Sequence, residues 1–294
     1  MKVFVTGATG FIGSAVVKDL LAAGHQVVGL SRSPTGDEKL RVLGAGVHRG
    51  SLEDPASLRR GASDADGVIH LAFIHSFPGF LGAPAKDQRA IDALGSALEG
   101  TGKPLVVAGG IIGLRPGQVL TEDFQPAYAK VPRKSEETVL AWAARGVRAS
   151  VVRLSPTVHG PGDHGFVAML VTAARKKGRA VWVGDGRSRW SAVHRLDAAR
   201  LFVLALEKGR AGGVYHGVAE TVPFGDLTAV IGRGLGVPVV SKKGLGALFA
   251  LGFLGFLAGI DGPASSEITR NELGWAPIHP SLIDDLEKGD YFDR

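Results

Sequence analysis

The chain has 294 residues, 45% hydrophobic and 21% charged, with a net charge of +6, a balance typical of a protein with a substantial core. It contains no cysteine, which excludes disulfides and thiolate metal sites. Cations cluster only in short runs, the longest being Arg175-Lys176-Lys177 and the others pairs such as Lys242-Lys243, without interleaved aromatics, so no nucleic-acid partner is expected.

The first predicted element is a strand over Lys2–Thr6, followed at once by Gly7-x-x-Gly10-x-x-Gly13 and a helix over Gly13–Ala23. Strand, tight glycine turn and helix opening form the geometry that a dinucleotide's pyrophosphate needs. Further strands are predicted over Gln26–Ser31, Gly46–His48, Gly67–Leu71, Leu105–Ala108 and Ala149–Leu154. Helices are predicted between them over Pro55–Arg60, Lys86–Glu99 and Ser135–Arg145. Most of the strands are apolar runs, as in a parallel sheet covered on both faces. The expected fold is therefore α/β, a Rossmann-type doubly wound parallel sheet with right-handed crossovers. After Gly160 the pattern loosens into short strands, glycines and prolines. This divides the chain into a dinucleotide-binding domain over 1–160 and a smaller C-terminal substrate-binding part over 161–294. Residues 244–260 carry no charge but fall short of the ~20 residues that cross a bilayer. They are expected to form a buried helix, a lid or a subunit contact, with no membrane span. The first strand begins at Lys2, so no signal peptide is expected and the expected location is cytoplasmic.

The segment Thr6-Gly7-Ala8-Thr9-Gly10-Phe11-Ile12-Gly13 resembles the signature of extended and atypical short-chain dehydrogenases/reductases, the group that includes the NAD(P)-dependent epimerase/dehydratase family. The likeness continues in His70-Leu71-Ala72, in Val152 to Asp163, in Val193 to Ala199 and in Leu273-Gly274-Trp275-Ala276-Pro277. The resemblance implies that about 193–208 packs back on the nucleotide-binding domain. It also implies a cofactor site drawn from Gly7, Thr9, Gly10, Phe11, Ile12, Gly13, Ser51, Leu52, Leu71, Ala72, Phe73, Pro156 and Val158.

A site that prefers NAD(H) usually ends its second strand on a carboxylate for the ribose hydroxyls. Here the strand ends Ser31-Arg32-Ser33, with no acid before Asp37. Arg32 is suited to fork onto a 2′-phosphate, with Ser31 and Ser33 donating, so NADP(H) is favoured over NAD(H).

Carbonyl reduction needs an acid beside the oxygen and a cation to lower that acid's pKa. The resemblance implies a Tyr-x-x-x-Lys pair and a hydroxyl at the end of the fifth strand, where Gly109 stands instead. Registering Glu136 on the family's glutamate places Tyr128 on the tyrosine and Pro132 on the lysine, with Arg133 and Lys134 alongside. In one reading Tyr128 is the acid and Lys134 or Arg133 the cation. In the other, Tyr128 packs in a loop and both cations face water. His75, His159 and His164 are alternative proton donors, His75 first because it follows the fourth strand. The spacing of His159 and His164 is poor for a metal, and no metal site is expected. Phe77, His164, Phe166, Arg189, Trp190 and His194 are the expected substrate residues, together with Phe73 and His75. This set suits a small, mostly apolar carbonyl, imine or activated alkene. A redox-neutral epimerase or dehydratase and a non-catalytic NADP sensor are the competing readings, and a homodimer is left open.

Overall fold

The computed structural model describes residues 1–74, 82–111, 117–125 and 133–293, less the side chains of Leu248, Phe253 and Phe256. Seven parallel strands form the central sheet: β1 (Lys2–Thr6), β2 (Gln26–Ser31), β3 (Gly46–Arg49), β4 (Gly67–His70), β5 (Pro104–Gly110), β6 (Arg148–Leu154) and β10 (Gly213–Gly217). Their order is β10-β6-β5-β4-β1-β2-β3, the doubly wound α/β arrangement. The order reverses between β1 and β4, so the carboxyl ends of these strands border the crevice where such sheets bind ligands. Strand β10 is absent from the sequence reading. It is five residues bounded by glycines, too short to show a period.

Helices cover both faces. α1 (Phe11–Ala22) and α7 (Arg195–Lys208) share one core, in which Val16, Leu20, Phe202 and Leu206 are fully buried together with Val3 and Val5 of β1. α3 (Pro55–Ser63), α4 (Ala83–Leu98) and α5 (Ser135–Ala141) cover the other face, packing Leu58, Ile91, Leu94 and Val139 against Phe4, Val68 and Val107. Burying side chains of this size contributes about 1.5–3 kcal/mol each. The predicted helix over 135–145 divides: α5 passes into a 3₁₀ turn at Trp142–Arg145, which ends on left-handed Gly146. A helix that sequence reasoning passed over, α2 (Pro34–Val42), begins where the Ser33 hydroxyl accepts from the Gly36 amide and Pro34 presets the first turn.

The rest of the chain adds two small sheets. β7 (Thr157–His159), β9 (Arg189–His194) and β11 (Glu220–Pro223) form one, and β8 (Ala180–Val183) pairs with β12 (Val239–Lys242) in the other. α6 (Phe166–Lys177), α8 (Phe224–Leu235) and α12 (Leu282–Lys288) pack with them around Trp190, Phe224 and Tyr291. The apolar 244–260 stretch forms two short helices, α9 (Leu245–Leu251) and α10 (Phe253–Ala258), and α11 (Glu267–Leu273) follows. No helix among the described residues is long and apolar enough to cross a membrane.

Candidate active site

The glycine turn is built as a backbone cradle. Gly7 has φ +70°, and a Cβ there would lie 2.7 Å from the Ala72 nitrogen. A Cβ on Gly13 would lie 2.0 Å from the Gly7 carbonyl oxygen, so α1 approaches β1 only because residue 13 has no side chain. Gly10 caps α1 without a side-chain hydrogen bond, and no acid sits in the first turn. The opening amides of Phe11, Ile12 and Gly13 and the positive end of the helix are thus left to an anion. This donor set fits a diphosphate. The Phe11 ring, beside the turn, is met edge-on by His164 at 5.6 Å and covered by the Arg195 guanidinium at 5.0 Å. Arg195 was passed over in the sequence; its signal is its place directly after His194 at the start of α7.

At the far end of the cradle Arg32 is exposed on the loop after β2. Ser31 donates to the Ser33 carbonyl at 3.0 Å, while the Ser33 hydroxyl caps α2. Asp37 is buried and bound to Arg49 at 2.9 Å, so it is not presented to a ribose. The Ser51 hydroxyl accepts from the Glu53 amide at 3.2 Å, and Leu52 packs against the α3–α4 core. Glu53 is held below the ordinary carboxylate range by its hydrogen bond to Lys86, with Arg32 a smaller contributor. Thr9 lies within the turn, Val158 is half-buried in β7, and Pro156 is exposed just before it.

A buried polar chain joins the strand tips to the start of α5. The Thr6 hydroxyl accepts from the Ala72 amide at 3.3 Å and meets His70 Nδ1 at 2.8 Å. His70 Nε2 reaches Asp87 Oδ1 at 3.2 Å, and Ser135 donates to Asp87 Oδ2. Arg133 Nε donates to Ser135 Oγ at 2.7 Å, and its terminal nitrogen donates to the Ala108 carbonyl at 2.9 Å. The guanidinium carbon stands 4.0 Å from the centre of the Phe73 ring. Along this chain donor meets acceptor when Thr6 donates to His70 Nδ1 and His70 Nε2 donates to Asp87. Burial alone would raise the Asp87 pKa, but the His70 hydrogen bond, with Arg133 and Ser135, brings it below its ordinary value. Burial lowers the pKa of Arg133, opposed by Asp87. A second pair pins α5: Arg153 forks onto Glu136 at 2.7 and 2.5 Å.

Several expected site residues stand elsewhere. The Lys134 ammonium is half-exposed, 3.9 Å from Glu137, while the neighbouring Arg133 turns onto the sheet. Trp190 is 4% exposed and wedged between Phe166 and Phe224, so it belongs to the core rather than to a pocket wall. Arg189 clasps Asp261 through two side-chain bonds of 2.9 and 2.7 Å, which hold the Asp261 carboxyl down at about 2. His194 accepts from the Leu196 amide at 3.2 Å and caps α7; burial, then His159, pushes its pKa down to about 4. His159 is fully buried, with Nδ1 2.9 Å from Asp285. Tyr128, His75 and Phe77 lie outside the described residues.

Ligand atoms of His194, Asp197 and His279 lie within 4.8 Å of one another. The group is held by its own hydrogen bonds: Asp197 accepts from the Ile278 and His279 amides and from the His279 ring, and His194 Nδ1 accepts from the Leu196 amide. The group is a clasp that ties α7 to the segment after Trp275.

Residues 3–96 and 116–217 match the model of the NAD dependent epimerase/dehydratase family. The chain belongs to this family. Its members bind NAD(P), and the glycine cradle is the part of this fold suited to that cofactor. An uncharacterized protein of Schizosaccharomyces pombe is 46% identical, over 99% of this chain and 100% of that one. The 2-alkyl-3-oxoalkanoate reductase of Stenotrophomonas maltophilia is 31% identical, over 82% of this chain and 78% of the reductase. Among solved structures, dTDP-glucose 4,6-dehydratase from Streptomyces venezuelae with NAD bound matches with a TM-score of 0.76 at 22% identity, over 99% of this chain and 96% of that one.

Proposed function

We propose that this protein is an NADP(H)-dependent oxidoreductase that reduces a small, mostly apolar carbonyl, imine or activated alkene. The observation that carries this reading is the Arg133 guanidinium, fixed at the tip of β5 and joined by Ser135, Asp87, His70 and Thr6 to the strand that opens the cradle. Bound in the cradle, NADPH supplies a hydride. Gly7, Thr9, Gly10 and the amides of Phe11, Ile12 and Gly13 hold its diphosphate, with Arg195 nearby as a counter-charge. Arg32 and the Ser33 hydroxyl take the 2′-phosphate, with Ser31 bracing the Ser33 carbonyl, and Ser51 and Leu52 flank the adenine. Leu71, Ala72, Phe73, Pro156 and Val158 border the nicotinamide.

Arg133 holds the negative charge that develops on the substrate oxygen. Its position is set before the reaction by two hydrogen bonds, to Ser135 and to the Ala108 carbonyl, with the Asp87 carboxylate 3.7 Å away, so little reorganisation is needed as that charge appears. Tyr128 donates the proton, with His75 as the second choice. His164 and Phe166 are assigned to the substrate, as is Phe77, which lies outside the described residues. The name of the Stenotrophomonas maltophilia relative describes reduction of a ketone carrying alkyl groups, which supports a ketone here. The protein is expected to act in the cytoplasm.

The test is NADPH oxidation over a panel of aliphatic and aromatic ketones, aldehydes, imines and enones. Turnover of at least one member is expected, with loss of NADPH binding in Gly10→Val, whose added side chain would crowd the diphosphate. A wild type that binds NADPH and turns over none of the panel would contradict the reading.

A further inference from the structure

Leu245 and Phe249 stand one helical turn apart on α9, so they share a face. They are 72% and 83% exposed, whereas Ala247 and Ala250 on the inner side are buried. A large aromatic and a leucine side by side in water need a reason.

The charge around them supplies one. No aspartate or glutamate occurs from 164 to 184 or from 227 to 260, and the adjoining Asp185 stands 3.7 Å from Arg187. Within these stretches lie Arg175, Lys176, Lys177, Arg179, Lys242 and Lys243, all at least partly exposed. Parallel pairing of β12 with β8 sets Lys242 beside Val183, so Lys242 and Lys243 lead into α9. At the other end the Lys177 ammonium donates to the Phe249 carbonyl at 3.1 Å and also to the Ala250 carbonyl, tying the basic end of α6 to α9. The apolar face is therefore collared by cations at both ends and is too short to cross a bilayer.

We propose that the α9 face docks on an anionic lipid surface. Leu245 and Phe249 enter the headgroup boundary while the cations meet lipid phosphates, the division of labour of an interfacial amphipathic helix. Charge selects this occupant: a second copy of the chain would bring a like-charged collar against this one.

The test is co-sedimentation of the full chain with vesicles of phosphatidylcholine alone and with a third of the lipid replaced by phosphatidylglycerol. Partitioning is expected to be at least tenfold stronger on the anionic vesicles and to weaken in 0.5 M salt. Phe249→Glu, at an exposed position that leaves the core untouched, should cut it at least tenfold, and Lys242→Glu with Lys243→Glu should do likewise. Equal partitioning to both vesicle types would overturn the proposal. So would sedimentation that Phe249→Glu does not change. A dimer that Phe249→Glu dissociates, with no vesicle binding by the wild type, would assign the face to a second copy instead.

Discussion

Arg133 donates to the carbonyl of Ala108, 25 residues earlier, at 2.9 Å. That carbonyl lies on β5 just before Gly109, where the family resemblance expects a hydroxyl and this chain has none. A cation reached from the start of α5 thus occupies the neighbourhood of the missing group. The same guanidinium is held from behind by Ser135 and Asp87.

The two glycines at the end of β5 separate by pleat. A Cβ on Gly109 would press on Val151 Cγ2 at 2.9 Å, whereas a Cβ on Gly110 meets nothing within 4 Å. Gly109→Ser is therefore expected to lower the unfolding free energy by about 1–3 kcal/mol through overpacking. Gly110→Ser should fold as the wild type and raise carbonyl reduction if its hydroxyl reaches the substrate oxygen. Urea unfolding with steady-state kinetics checks both; equal stability losses would mean that the pleat does not separate them.

His194 gives a pH signature. Its pKa falls from 6.5 to about 4 on folding because the buried ring resists protonation beside His159. A depressed folded value means that the stabilisation is whole above pH 6.5 and is lost as the pH falls through 4. Stability should therefore fall as the pH drops from 6.5 toward 4. His194→Asn, which retains an oxygen to cap α7, should flatten this part of the curve. Urea unfolding at pH 7, 5.5 and 4 in both proteins is the check, and parallel curves would exclude His194 as the source.

Cofactor preference rests on Arg32. NADPH should bind more tightly than NADH, and Arg32→Ala should lose roughly 1.5–3 kcal/mol of NADPH affinity, as for a charge-assisted hydrogen bond, with NADH little changed. Calorimetric titration measures both. Equal wild-type dissociation constants for the two dinucleotides would contradict this assignment.

The glycine cradle was legible because its constraints are local: Gly13 meets Gly7 six residues away, and the flanking strand and helix set the context. Most of the parallel sheet was legible for the same reason, since most of its strands carry their own apolar run; β10, Gly213–Gly217, carries none and was not. The Arg133 chain was not, because it brings residue 133 to residues 87, 70 and 6, and no spacing pattern announces such a meeting. Side-chain direction was also hidden. Arg133 and Lys134 are equivalent cations in the sequence, and only the fold turns one inward and leaves the other beside Glu137. Trp190 and His194 show the limit of composition: an aromatic or imidazole that suits a pocket wall suits a core or a helix cap as well.

The central claim is that this chain transfers hydride from NADPH to a carbonyl with Arg133 holding the developing charge. Single-turnover reaction of 4-deuterated NADPH with an accepted ketone tests it most directly, comparing wild type, Arg133→Ala and Lys134→Ala. Deuterium should appear on the product's carbinol carbon. Arg133→Ala should slow its transfer by about 10²–10³, the cost of removing one preorganised group at the oxyanion. NADPH affinity should stay near that of the wild type in both variants, and Lys134→Ala should transfer deuterium at nearly the wild-type rate. Absence of deuterium from the product, or equal rates in wild type and Arg133→Ala, would contradict the account.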